Sequence, residues 1–305
     1  MLRRLPLLAI ALVAAACNRG GDAATKPTVA LVVKTLNNQF FIDMEAGAKA
    51  AADSLGLELL VQAPEREIDV ERQMQIVENL IQRQVRVILL VPNGSKEIVP
   101  AVVKANAAKI PVVAVDTRVD AAALTAAGAT VATFIGSDNE DGGRMAGAFL
   151  VERLGGTASV AVLEGVPGHE TADARLRGFR SALAASKGMQ IVASQPANME
   201  RDLAFTVTQN ILQAHPGITA LFACNDVMAL GALEAIAAAG KGAQVSVVGF
   251  DAQDDARKAI AEQRMAATIA QNPREMGRMA VLTAARLLKG ETVPAEQPVP
   301  ISLIK

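Results

Sequence analysis

The feature that most constrains this chain is a regular alternation of short, uninterrupted apolar runs with longer stretches of helical period. Thr28 to Val33 is continuous rather than alternating, the pattern of a strand covered on both faces. Phe41 to Leu55 carries Met44, Ala48, Ala51, Ala52 and Leu55 along one helical side, and Gly56 ends it. Leu57 to Val61 reads as the next strand. Asp69 to Gln84 reads as a helix with Met74, Val77, Leu80 and Ile81 facing in. Val87 to Val91, Val99 to Ala108 and Ile110 to Val115 repeat the unit. Strands of this kind, separated by helices of about 10–15 residues, predict a parallel sheet with helices on both faces.

The pattern starts afresh after Phe134-Ile135-Gly136-Ser137. A helix is expected near Glu140–Leu154, with strands at Ser159–Leu163, Ile191–Ala193, Ala220–Cys224 and Val245–Phe250. Helices between them fall near Ala174–Ser186, Leu203–Ala214 and Met228–Ala239. The fold class is therefore α/β, with two doubly wound parallel-sheet lobes. A short strand at Ala267–Ala270, the helix Pro273–Leu288 and the end strand Ile301–Leu303 have no sheet of their own to complete. They must return to the earlier units, and several chain crossings make a hinge rather than a swivel.

The N-terminus sets the compartment. Arg3 and Arg4 precede an apolar run from Leu5 to Val13, and Ala14-Ala15-Ala16-Cys17 follows as a small-residue cleavage site. The run is too short for a spanning helix, which needs about 20 apolar residues. Residues 1–17 are expected to be a lipoprotein signal with Cys17 as the lipidated thiol, and 18–27 a polar tether. That leaves Cys224 alone, so no internal disulfide is expected. With two His besides, the soft ligands are too few for a structural zinc site, and neither metal nor cofactor is expected. The formal charge is −1 and becomes two units more negative without Arg3 and Arg4. With no basic tract, the footprint of a nucleic-acid binder is missing.

Ligands of open parallel sheets bind outside the carboxyl ends of the strands. Here those ends carry polar or aromatic groups: Thr35 to Phe41, with Asn38, Phe40 and Phe41; Asp116-Thr117-Arg118; Glu164 to His169, with Arg175 beyond; Asn225-Asp226; Asp251; and Gln271. Each one alone fits a turn or a helix cap, and Asp226 reads as the N-cap of a helix beginning at Val227. Together they supply amides and a planar fork for vicinal hydroxyls, and Phe faces for the C–H side of a sugar ring. Enzyme signatures are missing: no Gly-x-Gly-x-x-Gly after the first strand, no Walker loop and no Gly-x-Ser-x-Gly elbow. His215-Pro216 at a helix end reads as structural.

Asn37-Asn38-Gln39-Phe40-Phe41, Gln195-Pro196-Ala197, Ala214-His215-Pro216, Asn225 to Leu233, Val248-Gly249-Phe250-Asp251 and Ala266 to Gln271 carry a resemblance over nearly the whole mature length. The chain resembles the type I, pentose- and hexose-binding family of periplasmic sugar-binding proteins of ABC importers, its ribose binders above all. The resemblance implies two Rossmann-like lobes joined by a three-stranded hinge. Their extents would be 28–137 plus 272–299, and 138–271 plus 300–305. It implies a monosaccharide or polyol closed between the lobes, a membrane permease as partner, a monomer in the periplasm or at the cell surface, and no enzymatic activity.

Carried over position by position, the implied sugar contacts are Asn38, Phe40, Phe41, Asp116, Arg175, Asn225, Asp251 and Gln271. Two positions depart. Thr117 stands where ribose binders have an arginine, with Arg118 one step on, and Met199 stands where they have a stacking Phe. Thr117 removes donors and a charge, and Met199 exchanges a flat ring for a flexible thioether. Pro167-Gly168-His169 resembles the glucose/galactose binders and makes His169 a further candidate contact. Ribose, another pentose, a hexose and a linear polyol all fit this set. A sugar sensor for a chemoreceptor or kinase would use the same cleft. A transcription regulator is disfavoured, since an export signal and no helix-turn-helix precedes Thr28.

Overall fold

The structure, a computed structural model, describes residues 26–305; the signal 1–17, Cys17 and most of the tether lie outside the described residues. Strand β1 (Thr28–Val32) leads into α1 (Gln39–Leu55). The chain continues through β2 (Glu58–Gln62), α2 (Val70–Gln82), β3 (Val87–Leu90), α3 (Val99–Ala107), β4 (Val112–Val115), α4 (Ala121–Ala127) and β5 (Thr133–Gly136). The second run is α5 (Asn139–Arg153), β6 (Thr157–Glu164), α6 (Glu170–Ala184), β7 (Gly188–Pro196), α7 (Arg201–Ala214), β8 (Ala220–Ala223), α8 (Asp226–Ala238), β9 (Ser246–Asp251), α9 (Asp254–Ala261) and β10 (Ala267–Ala270). Helix α10 (Pro273–Leu288), β11 (Glu296–Pro298) and β12 (Ser302–Ile304) close the chain.

Two six-stranded sheets result, ordered β11-β5-β4-β3-β1-β2 and β12-β10-β9-β8-β6-β7. All neighbours are parallel except β12, which runs antiparallel to β10. The order reverses at β1, flanked by β2 and β3, and at β6, flanked by β7 and β8, so loops diverge there and leave a crevice. The chain passes from the first sheet to the second after β5, back after β10, and across again after β11.

Alternate residues of β1 fill opposite cores. Val29 and Leu31 pack towards α1 and α10, whereas Ala30 and Val32 pack with residues of α2 and α3. This two-sided burial is why the strand sequence is continuous rather than alternating. Two helix pairs cross with backbones in contact. A Cβ on Gly47 would strike the Arg274 carbonyl and one on Gly277 the Met44 carbonyl, so only glycine lets α1 and α10 meet. Gly143 against the Arg175 carbonyl and Gly178 against the Glu140 carbonyl do the same for α5 and α6. The second crossing fixes the backbone of Arg175.

Three elements depart from the sequence expectations. Helices α4 and α9 are too short to show a helical period, and β11 is a polar edge strand, Glu-Gln-Pro. In α2, Gln73 and Ile76 lie on the buried face, with Met74 and Ile81 only half-buried. Gln73 is tolerated there because its amide donates to the Val91 carbonyl and accepts from the Asn93 N–H, both at 2.8 Å. Asp226 is not the cap of α8. Asn225 is, its Oδ1 accepting from the Met228 N–H at 2.9 Å, and Asp226 turns inward, where it accepts from Thr268 Oγ1 and the Gln253 N–H.

Candidate functional site

Between the two sheets, at the carboxyl ends of their strands, lies a narrow chamber with a free volume of about 20 Å³. It is lined by Lys34, Asn38, Phe40, Phe41, Glu67, Asp116, Thr171, Arg175, Met199, Asn225 and Asp251. That volume is room for about one water, so a sugar-sized guest has to push the lining side chains apart as it enters. Of the expected contacts, Asn38, Phe40, Phe41, Asp116, Arg175, Met199, Asn225 and Asp251 are brought together here. Thr117, Gln271 and His169 are buried beside the chamber and do not line it.

Arg175 is the most constrained of these side chains. Its Nε donates to Asn139 Oδ1 at 2.9 Å and its Nη1 to the Cys224 carbonyl at 2.6 Å. Its guanidinium carbon lies 3.7 Å from the centroid of the Phe250 ring, and Nη2 stands 3.5 Å from Asp251 Oδ1. A planar fork with several fixed donors is what this position requires, and a point charge would not satisfy it. Gln271 works from behind, donating to Asp251 Oδ1 at 2.8 Å.

The two strand-end aspartates share a backbone peculiarity. Asp116 has φ 61° and Asp251 φ 111°, both in the region that disfavours side chains. Asn198 and Met199 are a further such pair, at φ 52° and 64°, and hold the Met199 thioether over Gly165, where a Cβ would collide with it. Strain of this kind aims a side chain where regular backbone would not.

Buried charge dominates the electrostatics. Burial pushes the Asp251 carboxyl up to about 7, against the pull of Arg175 and Gln271. Glu67 is also raised, by burial first, with Lys34 opposing and Asp116 adding. Asp226 lies well above the usual carboxylate range, through burial and the nearby Asp251. His169 is driven down to about 3 by burial and by Lys34, so it is a neutral imidazole, and its Nδ1 has no partner. Burial pushes the Cys224 thiol up to about 12, which makes it unreactive. Asp116 Oδ1 and Gln271 Oε1 are buried acceptors without a donor, whereas Asp116 Oδ2 accepts from Thr117 Oγ1 at 3.1 Å. A buried acceptor left alone is costly, so Asp116 Oδ1, which faces the chamber, favours a guest that brings a hydroxyl hydrogen.

Sequence reasoning missed Lys34, Glu67 and Thr171. Lys34 Nζ stands 3.9 Å from Glu67 Oε2, both nearly enclosed. The signal was present for Lys34, which follows the strand residue Val33 as directly as Asp116 follows Val115. Glu67 had none, since its loop meets Lys34 only through the pairing of β1 with β2. Thr171 Oγ1 lies 2.8 Å from Thr117 Oγ1. The substituted Thr117 thus bonds two residues of the chamber wall, Asp116 and Thr171.

Comparison with known proteins extends the picture. A periplasmic binding protein domain is matched over residues 29–292. The ribose import binding protein of Escherichia coli is 40% identical over 295 residues, 97% of this chain and 96% of that one. The D-allose-binding periplasmic protein of the same organism is 36% identical over 249 residues, 81% and 80% of the two chains. An ABC transporter periplasmic solute binding protein from Actinobacillus succinogenes, solved with bound D-allose, superposes with a TM-score of 0.87 at 38% identity, covering 92% of this chain and 98% of that one.

Proposed function

The chain belongs to the periplasmic binding protein family, and from that membership we propose how its cleft captures a guest. It is the solute-binding component of an ABC sugar importer, a binding protein rather than an enzyme, and it delivers a monosaccharide to a membrane permease. We assign residues 28–137 and 272–299 to the N-terminal lobe and 138–271 and 300–305 to the C-terminal lobe. The sugar closes between them.

In this reading Phe40 and Phe41 form the apolar wall; their rings meet edge to face with centroids 5.3 Å apart. Asp116 and Asp251 accept hydroxyl hydrogens, while Arg175, Asn225 and Lys34 donate. Asn38 presents an amide and Met199 an adaptable apolar surface. Gln271 and Asn139 act through their neighbours, holding Asp251 and Arg175 in place. Thr117 and His169 act at the lobe interface and behind the chamber rather than on the sugar. Because the sugar touches both lobes, it binds the closed form better and shifts the population towards it.

The observation that carries this reading is the buried Asp116 Oδ1, an acceptor without a donor in a chamber that Phe40, Phe41 and Arg175 also line. Ribose, allose and other single-ring pentoses and hexoses suit the chamber's donor–acceptor mix, as does a linear polyol. Thermal unfolding with a panel of these compounds tests the proposal. Sugar at about 100 times its dissociation constant should add about 2.7 kcal/mol. No shift with any pentose, hexose or polyol would refute sugar capture.

We also propose that the protein works as a monomer in the periplasm, tethered by a lipid on Cys17. Cys17→Ser should release it from the membrane fraction, and an unchanged membrane fraction would refute the anchor.

A further inference from the structure

Two helix starts meet across the cleft, one from each lobe. Asn38 and Gln39 open α1, and Gln253 and Asp254 open α9, 215 positions away in sequence. Gln39 and Asp254 pair reciprocally: Gln39 Nε2 donates to Asp254 Oδ2 at 2.8 Å, and the Asp254 N–H donates to Gln39 Oε1 at 3.2 Å. Beside them Gln253 Nε2 donates to Asn38 Oδ1 at 2.9 Å. Gln253 is the N-cap residue of α9 and yet makes no capping bond with its side chain, which reaches across the cleft instead.

The partners on both sides are each held by contacts within their own lobe. Asp226 accepts from the Gln253 N–H at 2.8 Å and from Thr268 Oγ1 at 2.7 Å, and Arg257 Nε donates to the Ala252 carbonyl at 2.8 Å. The loop carrying Gln253 and Asp254 is therefore anchored from beneath. On the facing side Asn38 Oδ1 already accepts from the Phe40 N–H at 3.0 Å. With a second donor from Gln253, that oxygen is saturated and the amide cannot turn over. Asn38 Nδ2 is then the group turned towards Glu67 and the chamber, 3.4 Å from Glu67 Oε1. An amide free to flip would offer the guest either a donor or an acceptor; this one offers a donor.

We propose that Gln39, Gln253 and Asp254 form a guest-independent clasp that biases the empty protein towards closure and, through Gln253, fixes Asn38 as a donor. None of the three lines the chamber, so they are positioning residues. This rests on the sugar-capture reading for its effect on affinity, but the bias itself is a property of the empty protein. Parting the lobes breaks all three hydrogen bonds. Each bond shifts an equilibrium by roughly fivefold, and a chain that closes less readily when empty holds its guest less tightly.

The test uses the Gln39→Ala and Gln253→Ala variants and the wild type, each as the whole mature chain. Small-angle X-ray scattering of the empty proteins reads closure directly. The wild type should be more compact than either variant, and both should regain the wild-type radius of gyration when saturated with whichever of D-ribose and D-allose binds. Stopped-flow binding of that sugar should show a faster dissociation rate, roughly fivefold per lost hydrogen bond, with no fall in association rate. A role in folding alone would lower the unfolding midpoint and leave these rates unmoved. Identical scattering of the empty wild type and both variants would overturn the clasp. If neither sugar binds any of the three, the capture reading fails while the scattering still decides the clasp.

Discussion

Arg175 Nη2 faces Asp251 Oδ1 at 3.5 Å, with 4% and 6% of the two side chains exposed. Neither charge has water to fall back on, so each depends on the other and on Asn139, Gln271 and Phe250 around them. Removing the guanidinium leaves the Asn139 amide oxygen and the Cys224 carbonyl without their donor and Asp251 without its cation, a loss of about 1–3 kcal/mol per stranded acceptor. Arg175→Ala should therefore unfold at a lower temperature and bind its sugar weakly. Arg175→Lys should rescue little, since an ammonium cannot reach three separated acceptors in one plane. Circular dichroism melts of the three proteins decide this, and an Arg175→Lys midpoint equal to wild type would argue against the fork geometry.

The same carboxyl makes stability depend on pH. Asp251 sits near 7 in the folded protein against 3.8 ordinarily, so the folded chain keeps a proton that the unfolded chain has released. The stability it contributes is full below 3.8 and is lost as the pH rises to about 7. Glu67 and Asp226 are shifted in the same direction and steepen the decline. His169 opposes them, because a histidine held down to about 3 loses stability as the pH falls below 6.5. Asp251→Asn should flatten the fall of the sugar-free unfolding midpoint between about pH 4 and 7. An unchanged slope would show that Asp251 ionises normally.

Lys34 and Glu67 should behave as a unit. Lys34→Met removes the only opposite charge within 4 Å of Glu67 among the described residues, so Glu67 will be protonated over a wider pH range. Calorimetric affinity for the bound sugar should drop tenfold or more, about 1.4 kcal/mol. Lys34→Met combined with Glu67→Gln should recover much of the lost unfolding temperature, since the stranded acid is then gone. No recovery would separate the two residues.

The helix crossing behind Arg175 gives a purely steric test. Gly178→Ala puts a methyl group into the Glu140 carbonyl and must push α5 from α6. Overpacking of this kind costs about 1–3 kcal/mol. Because Arg175 rides on α6, sugar affinity should fall as well, whereas Gly217→Ala, with open space around it, should change neither.

Much of this was legible in the sequence because parallel strands buried on both faces leave continuous apolar runs, as at Val29 to Val33 and Val87 to Val91. Helices α4 and α9 escaped notice because seven or eight residues do not complete a helical pattern. Strand-end reasoning reached Asp116 and Asp251 but not their positive φ, which depends on what the surrounding loops enforce. Thr117 was expected at the chamber because it follows Asp116; its hydroxyl is taken up by the Asp116 carboxylate and by Thr171, pairings that no sequence spacing reveals. Glu67 and the clasp at Gln253 were invisible, since their partners are brought to them only by β1–β2 pairing and by closure of the lobes.

Isothermal titration of D-ribose and D-allose into the wild type and Asp251→Ala bears most directly on capture between the lobes. One site per chain is expected for the sugar that binds, with affinity lost by about 2–5 kcal/mol in the variant as Arg175 is left without its carboxylate. Binding of equal strength to both proteins would contradict the site.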